Sequence, residues 1–190
     1  MKTIVFATNN AHKLAEARQI LGGEFEIMSL SDIGCHEEVD ENADTLEGNS
    51  MLKARYVAEN YHCDCFADDT GLEVSALNGA PGVHTARYAS EHNDPAANRA
   101  KLLSELSGKD DRTAQFRTAV TVFYNGKVYQ CEGIVRGRID TQERGEHGFG
   151  YDPLFIPAGY DKTFAELPSE TKNSISHRAR ALQKMKEIIN

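Results

Sequence analysis

Apolar residues fall in short unbroken runs at some places along this chain and at helical spacing at others, and the alternation between the two predicts most of its elements. Thr3-Ile4-Val5-Phe6-Ala7 shows no polar alternation, the pattern of a strand buried on both faces, and the polar Thr8-Asn9-Asn10 ends it. Leu14, Ala17, Ile20 and Leu21 then recur at helical spacing before Gly22-Gly23 stops the helix. Residues 25–30 read as a second strand. Residues 45–60 read as a second helix, with Asp44 as its cap, Glu47 three residues on, and Leu46, Met51, Leu52, Ala54, Val57 and Ala58 on its buried face. Cys65-Phe66-Ala67 predicts a third short strand running into an acidic turn, Asp68-Asp69-Thr70-Gly71, with Leu72-Glu73-Val74 beyond it. Gly79, Pro81 and Gly82 mark an irregular loop.

Further along, Asp94-Pro95 is a cap followed by proline at the first helical position, which predicts a helix to Leu106 closed by Gly108. Residues 116–124 and 128–135 are rich in β-formers and are joined by Asn125-Gly126, a pair that tolerates positive φ and so marks a tight hairpin. Residues 145–150 form a glycine-bearing loop and Leu154-Phe155-Ile156 a short strand. Residues 174–189 form a closing amphipathic helix through Ile175, Ala179, Leu182, Met185 and Ile189. Helices interleaved with strands, plus one long hairpin, predict an α/β fold with a mixed sheet. At 190 residues and 40% hydrophobic content, the chain suffices for one domain of ordinary core size or two closely joined lobes.

Charge narrows the classes of partner. A formal net charge of -8 argues against a broad grip on nucleic acid, so a polyphosphate ligand must be met locally. Seven acidic residues between Asp32 and Glu47 form either a metal-facing or a simply solvated loop. Cys35, Cys63, Cys65 and Cys131 fit neither a disulfide framework nor a zinc site and read as reduced thiols of a cytoplasmic protein. The apolar run at residues 1–7 is far below a signal-peptide core or the roughly 20 apolar residues of a membrane span, so no membrane partner is expected.

Four places carry candidate chemistry. Thr8-Asn9-Asn10-Ala11-His12-Lys13 stands where a buried strand hands over to a helix; there the helix dipole is positive, and Thr8, Asn10 and Lys13 add donors suited to phosphate. The same residues also read as a polar helix cap with a surface lysine. Asp68-Asp69, with Glu41 or Asp40 upstream, offers the hard oxygens that hold magnesium. Neighbouring carboxylates raise each other's proton affinity, which suits one to act as a base; the alternative is an Asx-type turn before Gly71. In Gly148-Phe149-Gly150-Tyr151-Asp152-Pro153, a ring freed by two glycines can stack on a purine while Asp152 accepts from base N–H groups, or both aromatics pack inward. Lys172 and Ser176-His177-Arg178 place cations at the start of the last helix, where the dipole does not favour them. An anion or a carbonyl-bearing ligand explains them better than helix stability, solvated charges being the alternative. His36, His62, His84, His92 and His147, like His12, fall in no metal-ligand spacing.

Taken in order, these blocks, together with Glu47-Gly48-Asn49-Ser50-Met51-Leu52-Lys53-Ala54 and Gly79-Ala80-Pro81-Gly82-Val83, resemble the inosine triphosphate pyrophosphatase family, which acts on non-canonical purine nucleoside triphosphates such as ITP, dITP and XTP. The resemblance spans nearly the whole chain. It implies an elongated mixed β-sheet with helices in two lobes, a central active-site cleft and a homodimer. It also implies that residues 8–13 hold phosphates, Glu41 and Asp69 serve a magnesium ion, and Asp69 is the proton acceptor with Asp68 in support. Thr70 contacts substrate, and Phe149, Gly150, Tyr151, Asp152, Lys172, His177 and Arg178 surround the base. Asn9 stands where glycine is frequent, Thr70 where serine is frequent, and Gly48 where an acid is common; the last leaves Asp40 competing with Glu41 for the metal.

Overall fold

The first apolar run becomes strand β1 (Lys2–Phe6), and its lack of alternation has a direct cause. Ile4 and Phe6 enter one hydrophobic core, while Val5 and the following Ala7 enter another. The computed structural model describes residues 1–190. It adds β2 (Phe25–Met28), β3 (Cys65–Val74), β4 (Thr113–Tyr124), β5 (Lys127–Ile139) and β6 (Phe155–Pro157), with helices α1 (Ala11–Leu21), α2 (Leu46–Tyr61), α3 (Pro95–Glu105), α4 (Ser169–Ile175) and α5 (His177–Ile189). The six strands form one sheet in the order β2-β1-β3-β4-β5-β6. β1 runs parallel to both β2 and β3, whereas β6 runs antiparallel to β5, so the fold is α/β with a mixed sheet.

The chain divides into two compact units. The first comprises Met1–Asp69, Thr118–Gly133 and Ser176–Asn190. On one face of its strands Ile4, Phe6 and Phe66 pack with Ala17 and Leu21 of α1 and Leu182 and Met185 of α5; the rings of Phe6 and Phe66 stack at 4.3 Å. On the other face Val5, Ala7, Cys65 and Ala67 pack with Ala54 and Val57 of α2. The second unit comprises Thr70–Arg117 and Ile134–Ile175, and its core is built around Phe116, Phe155 and Phe164, whose centroids lie 4.6 to 6.2 Å apart.

Local signals were obeyed closely at several places. Gly22 caps α1, Asp94 accepts from Ala97 N at the start of α3, and Asn125 and Gly126 take φ values of 49° and 74° in the turn between β4 and β5. Three expectations are corrected. α2 is capped by Thr45, whose Oγ1 accepts from Gly48 N at 3.0 Å, and not by Asp44; its buried face includes the polar Asn49 and Ser50, while Met51, Leu52 and Ala58 are only half-buried. The acidic segment at 68–71 is no turn: β3 runs through it without a break to Val74. The closing helix is two helices, broken at Ser176, whose Oγ accepts from Ala179 N at 3.1 Å and starts α5 afresh. Gly133 on β5 lets the first turn of α5 lie against that strand, because a Cβ there would run into the backbone of His177 and Ala181.

Candidate active site

Because β3 is continuous, its two adjacent acids point to opposite faces. Phe66 and Asp68 share one face and Cys65, Ala67 and Asp69 the other, which gives the two carboxylates different neighbours. Asp68 is fully buried; its Oδ1 accepts from Lys13 Nζ at 2.9 Å and its Oδ2 from Arg178 Nε at 2.8 Å. Burial works to raise this carboxyl, but the charges of Lys13, Arg178 and Lys53 overcome it and hold Asp68 far below the usual carboxylate range. Asp69 is half-buried, and its Oδ2 accepts from Asn49 Nδ2 at 3.1 Å. Here burial prevails over Lys53 and Lys13, with Glu41 adding to it, so Asp69 is raised. Asp69 therefore owes its raised proton affinity first to burial, with the neighbouring carboxylate of Glu41 adding to it.

The turn at residues 8–13 is both a cap and a donor set. Asn10 Oδ1 accepts from His12 N and Lys13 N, and Thr8 Oγ1 accepts from Asn10 N at 3.1 Å. Capping uses only oxygens, so the Asn10 amide NH2 and the Thr8 hydroxyl proton remain to donate. Asn9, Ala11 and His12 are exposed, and Lys13 reaches back to Asp68. Burial lowers the Lys13 ammonium, and Lys53 and Arg178 lower it further against the pull of Asp68.

Arg178 and His177 are the first two residues of α5 and both are buried. The anions that explain a cation at this helix start belong to the chain itself: Arg178 pairs through Nε with Asp68 and through Nη1 with Glu16.

Sequence reasoning missed Lys53, Asn49 and Glu16. Lys53 Nζ donates to the Asp68 carbonyl at 2.6 Å and pairs with Glu41 Oε1 at 2.7 Å; burial opposes its charge, but Glu41, Asp68 and Asp69 raise it. Asn49 links Asp69 to the acidic loop, its Oδ1 accepting from Ala43 N at 3.0 Å. A signal was present: Asn49, Ser50 and Lys53 fall at helical spacing with the buried Leu46, Ala54 and Val57, and polar residues on a buried face need partners. Asp40 and Glu41 are both exposed, and Glu41 is the one that pairs with Lys53. Glu41 and Asp69, both within the field of Lys53, supply hard carboxylate oxygens suited to a cation that takes one or two carboxylates and completes its shell with water and phosphate.

In the second unit, Phe149, Asp152 and Lys172 come together. Asp152 Oδ2 accepts from Phe149 N at 3.0 Å and from the buried Lys172 Nζ at 2.6 Å, and that ammonium lies 4.8 Å from the centroid of the Phe149 ring and 5.7 Å from that of Phe164. Phe149 is half-buried. Tyr151 instead packs inward, its hydroxyl donating to the Thr85 carbonyl at 2.7 Å. Thr70 is half-buried on β3, and Gly150 has a φ of +61°.

Comparison with known proteins gives a consistent picture. Residues 4–188 match the Ham1 family. The dITP/XTP pyrophosphatase of Flavobacterium johnsoniae is 50% identical over 186 residues, 98% of this chain and 97% of that one. That of Porphyromonas gingivalis is 50% identical over 190 residues, 100% of this chain and 98% of that one. Among solved structures, the Ham1 protein of Staphylococcus aureus matches with a TM-score of 0.88 at 38% identity, covering 98% of this chain and 97% of that chain.

Proposed function

The chain belongs to the Ham1 family, and from that premise we infer that it hydrolyses non-canonical purine nucleoside triphosphates, dITP, XTP and ITP, to the monophosphate and pyrophosphate. The observation that carries the reading is the division of labour on β3, where one acid is locked in its charged form among cations and its neighbour has raised proton affinity.

In this reading Asp69 takes the proton of the water that attacks the α-phosphorus, because a general base works best when its affinity for a proton approaches that of its surroundings. Lys13 and Lys53, with the positive end of α1, hold the charge of the triphosphate and of the departing pyrophosphate. Thr8 and Asn10 add neutral donors. Asp68 remains an anion and tethers Lys13 and Arg178 in place. Glu41 and Asp69 would hold a magnesium ion, which would supply charge neutralisation at the phosphate oxygens. Thr70 is assigned to substrate contact.

Phe149, Asp152, Lys172 and His177, with the backbone at Gly150 and Tyr151, are assigned to the base. A donor aimed at the 6-keto oxygen of hypoxanthine or xanthine is left unpaired by the 6-amino group of adenine, a mismatch that can cost roughly 10⁴ in specificity. Arg178, bound by two carboxylates, is assigned to holding Asp68. The reading includes a homodimer in the cytoplasm, and no helix of the chain is long and apolar enough to cross a membrane.

The test is a substrate panel of ITP, dITP, XTP, GTP and ATP, with and without magnesium, read by pyrophosphate release. Magnesium-dependent pyrophosphate from the first three is expected. Orthophosphate as the product, or equal rates on ATP, would sink the reading.

A further inference from the structure

Arg99 belongs to none of the motifs so far given a role, yet it ties down the loop that carries Phe149. It projects from α3, its side chain is 18% exposed, and its guanidinium serves two partners. Nη1 donates to the carbonyl of Gly150 at 2.8 Å, and Nε pairs with the carboxylate of Glu143. One side chain thus clasps both ends of segment 143–150.

Elsewhere the segment is held through its backbone, Glu146 N and His147 N donating to the Ala165 carbonyl at 3.2 and 2.9 Å. Gly145, Gly148 and Gly150 have φ values of +91°, +73° and +61°, a region that glycine enters freely and that leaves the backbone wide latitude. Phe149 is tied to Asp152 at both backbone groups, its N–H donating to the carboxylate and its carbonyl accepting from Asp152 N at 3.1 Å. The carbonyl of the following residue, Gly150, is set by Arg99. The support under Arg99 is itself fastened: the neighbouring Asn98, 1% exposed, accepts from Ala89 N at 2.8 Å and donates to the Ala86 carbonyl at 3.0 Å, and Asp94 caps the helix start.

We propose that Arg99 is a positioning residue for purine recognition, presetting the Phe149 ring through the Gly150 carbonyl and Glu143. The inference rests on the assignment of Phe149 to the base made above. A loop preset in its binding geometry spares the ligand the cost of ordering it, so losing Arg99 weakens base binding. It leaves the phosphate-handling residues Lys13 and Lys53, which belong to the other unit, untouched.

The experiment compares wild type, Arg99→Ala, Arg99→Lys and Glu143→Gln by kcat and KM for ITP and by competitive inhibition with two probes, inosine monophosphate and inorganic tripolyphosphate. Arg99→Ala is expected to raise KM and the inhibition constant for inosine monophosphate about tenfold, while kcat and tripolyphosphate inhibition stay within about twofold. Arg99→Lys, which can reach one partner but not both, and Glu143→Gln, which keeps the Gly150 bond, should show smaller rises in the same direction. Should Arg99→Ala fail to fold, these two variants carry the test. Unchanged inosine monophosphate inhibition in all folded variants would overturn the proposal, as would equal weakening of both probes, which marks a merely structural role. A wild type that releases no pyrophosphate from ITP would instead overturn the functional reading beneath it.

Discussion

Each unit buries a carboxylate against cations, but the two arrangements are built differently. In the first, Asp68 meets Lys13 and Arg178 directly and feels Lys53, and these three cations answer four carboxylates, those of Glu16, Glu41, Asp68 and Asp69. In the second, Asp152 meets one cation, Lys172, flanked by the rings of Phe149 and Phe164. The first is a charge balance spread over four elements, with each cation shared among several carboxylates. The second is a fitting whose single ion pair, one backbone bond and two ring contacts fix a shape. Chemistry on phosphates calls for the former and recognition of a flat base for the latter.

The largest expected effect falls on the first region. Asp69→Asn should lower kcat by about 10³-fold while a triphosphate still binds, as loss of a general base does; near-normal single-turnover rates would remove Asp69 from proton transfer. Next in size is the stability difference between the two buried acids. Asp68→Ala removes the partner of Lys13 and one of the two carboxylates of Arg178 and should cost about 3–5 kcal/mol in urea unfolding, more than Asp152→Ala, which removes the partner of Lys172 alone. Equal costs would erase the distinction between a charge balance and a single pair. The sign with pH follows from the depressed Asp68 carboxyl: its stabilisation is present above the ordinary carboxylate range and is lost only as pH falls through its lower folded value. The acid limb of the stability profile should therefore flatten in the variant.

Lys172→Met should raise KM for ITP by about tenfold with a smaller change in kcat, since a desolvated cation–π contact contributes about 2 kcal/mol to a ring's placement. The smallest effect concerns burial without counter-charges, seen on the same strand as Asp68. Burial pushes the Cys65 thiol up to about 12 and, on β5, Cys131 up to about 11. At pH 8 both should resist alkylation by iodoacetamide in the folded protein, Cys65 more completely, as peptide mass mapping would reveal.

Which of these features were legible in the sequence depended on the reach of the interactions that decide them. β1, the cap of α3 and the Asn125-Gly126 turn are settled within a few residues, and local chemistry predicted them. β3 was misjudged because two acids in a strand interior make no sense until their partners are known, and those partners lie 55 and 110 residues away, at Lys13 and Arg178. The same distance hid Arg178's partners, Asp68 and Glu16. The break at Ser176 was masked because the apolar spacing runs on across it from Ile175 to Ala179, so periodicity alone could not register that α4 and α5 belong to different units. The residue types at the site were visible in advance. Their pairing was not: helical spacing puts Asn49 and Lys53 on the buried face of α2, but their partners Asp69 and Asp68 lie on another element.

Ser176–Asn190 completes the first unit, and this has a consequence during synthesis. The ribosome makes β1, α1 and β3 long before α5, so for most of translation the Asp68 carboxylate lacks Arg178, and the Phe6–Phe66 layer lacks Leu182 and Met185. A nascent chain of about 175 residues would carry every group assigned to the phosphates and still be unable to bury its central charge. Catalytic competence is thereby coupled to the arrival of α5, and a chain stalled before it would offer chaperones an open apolar face instead of a half-working enzyme.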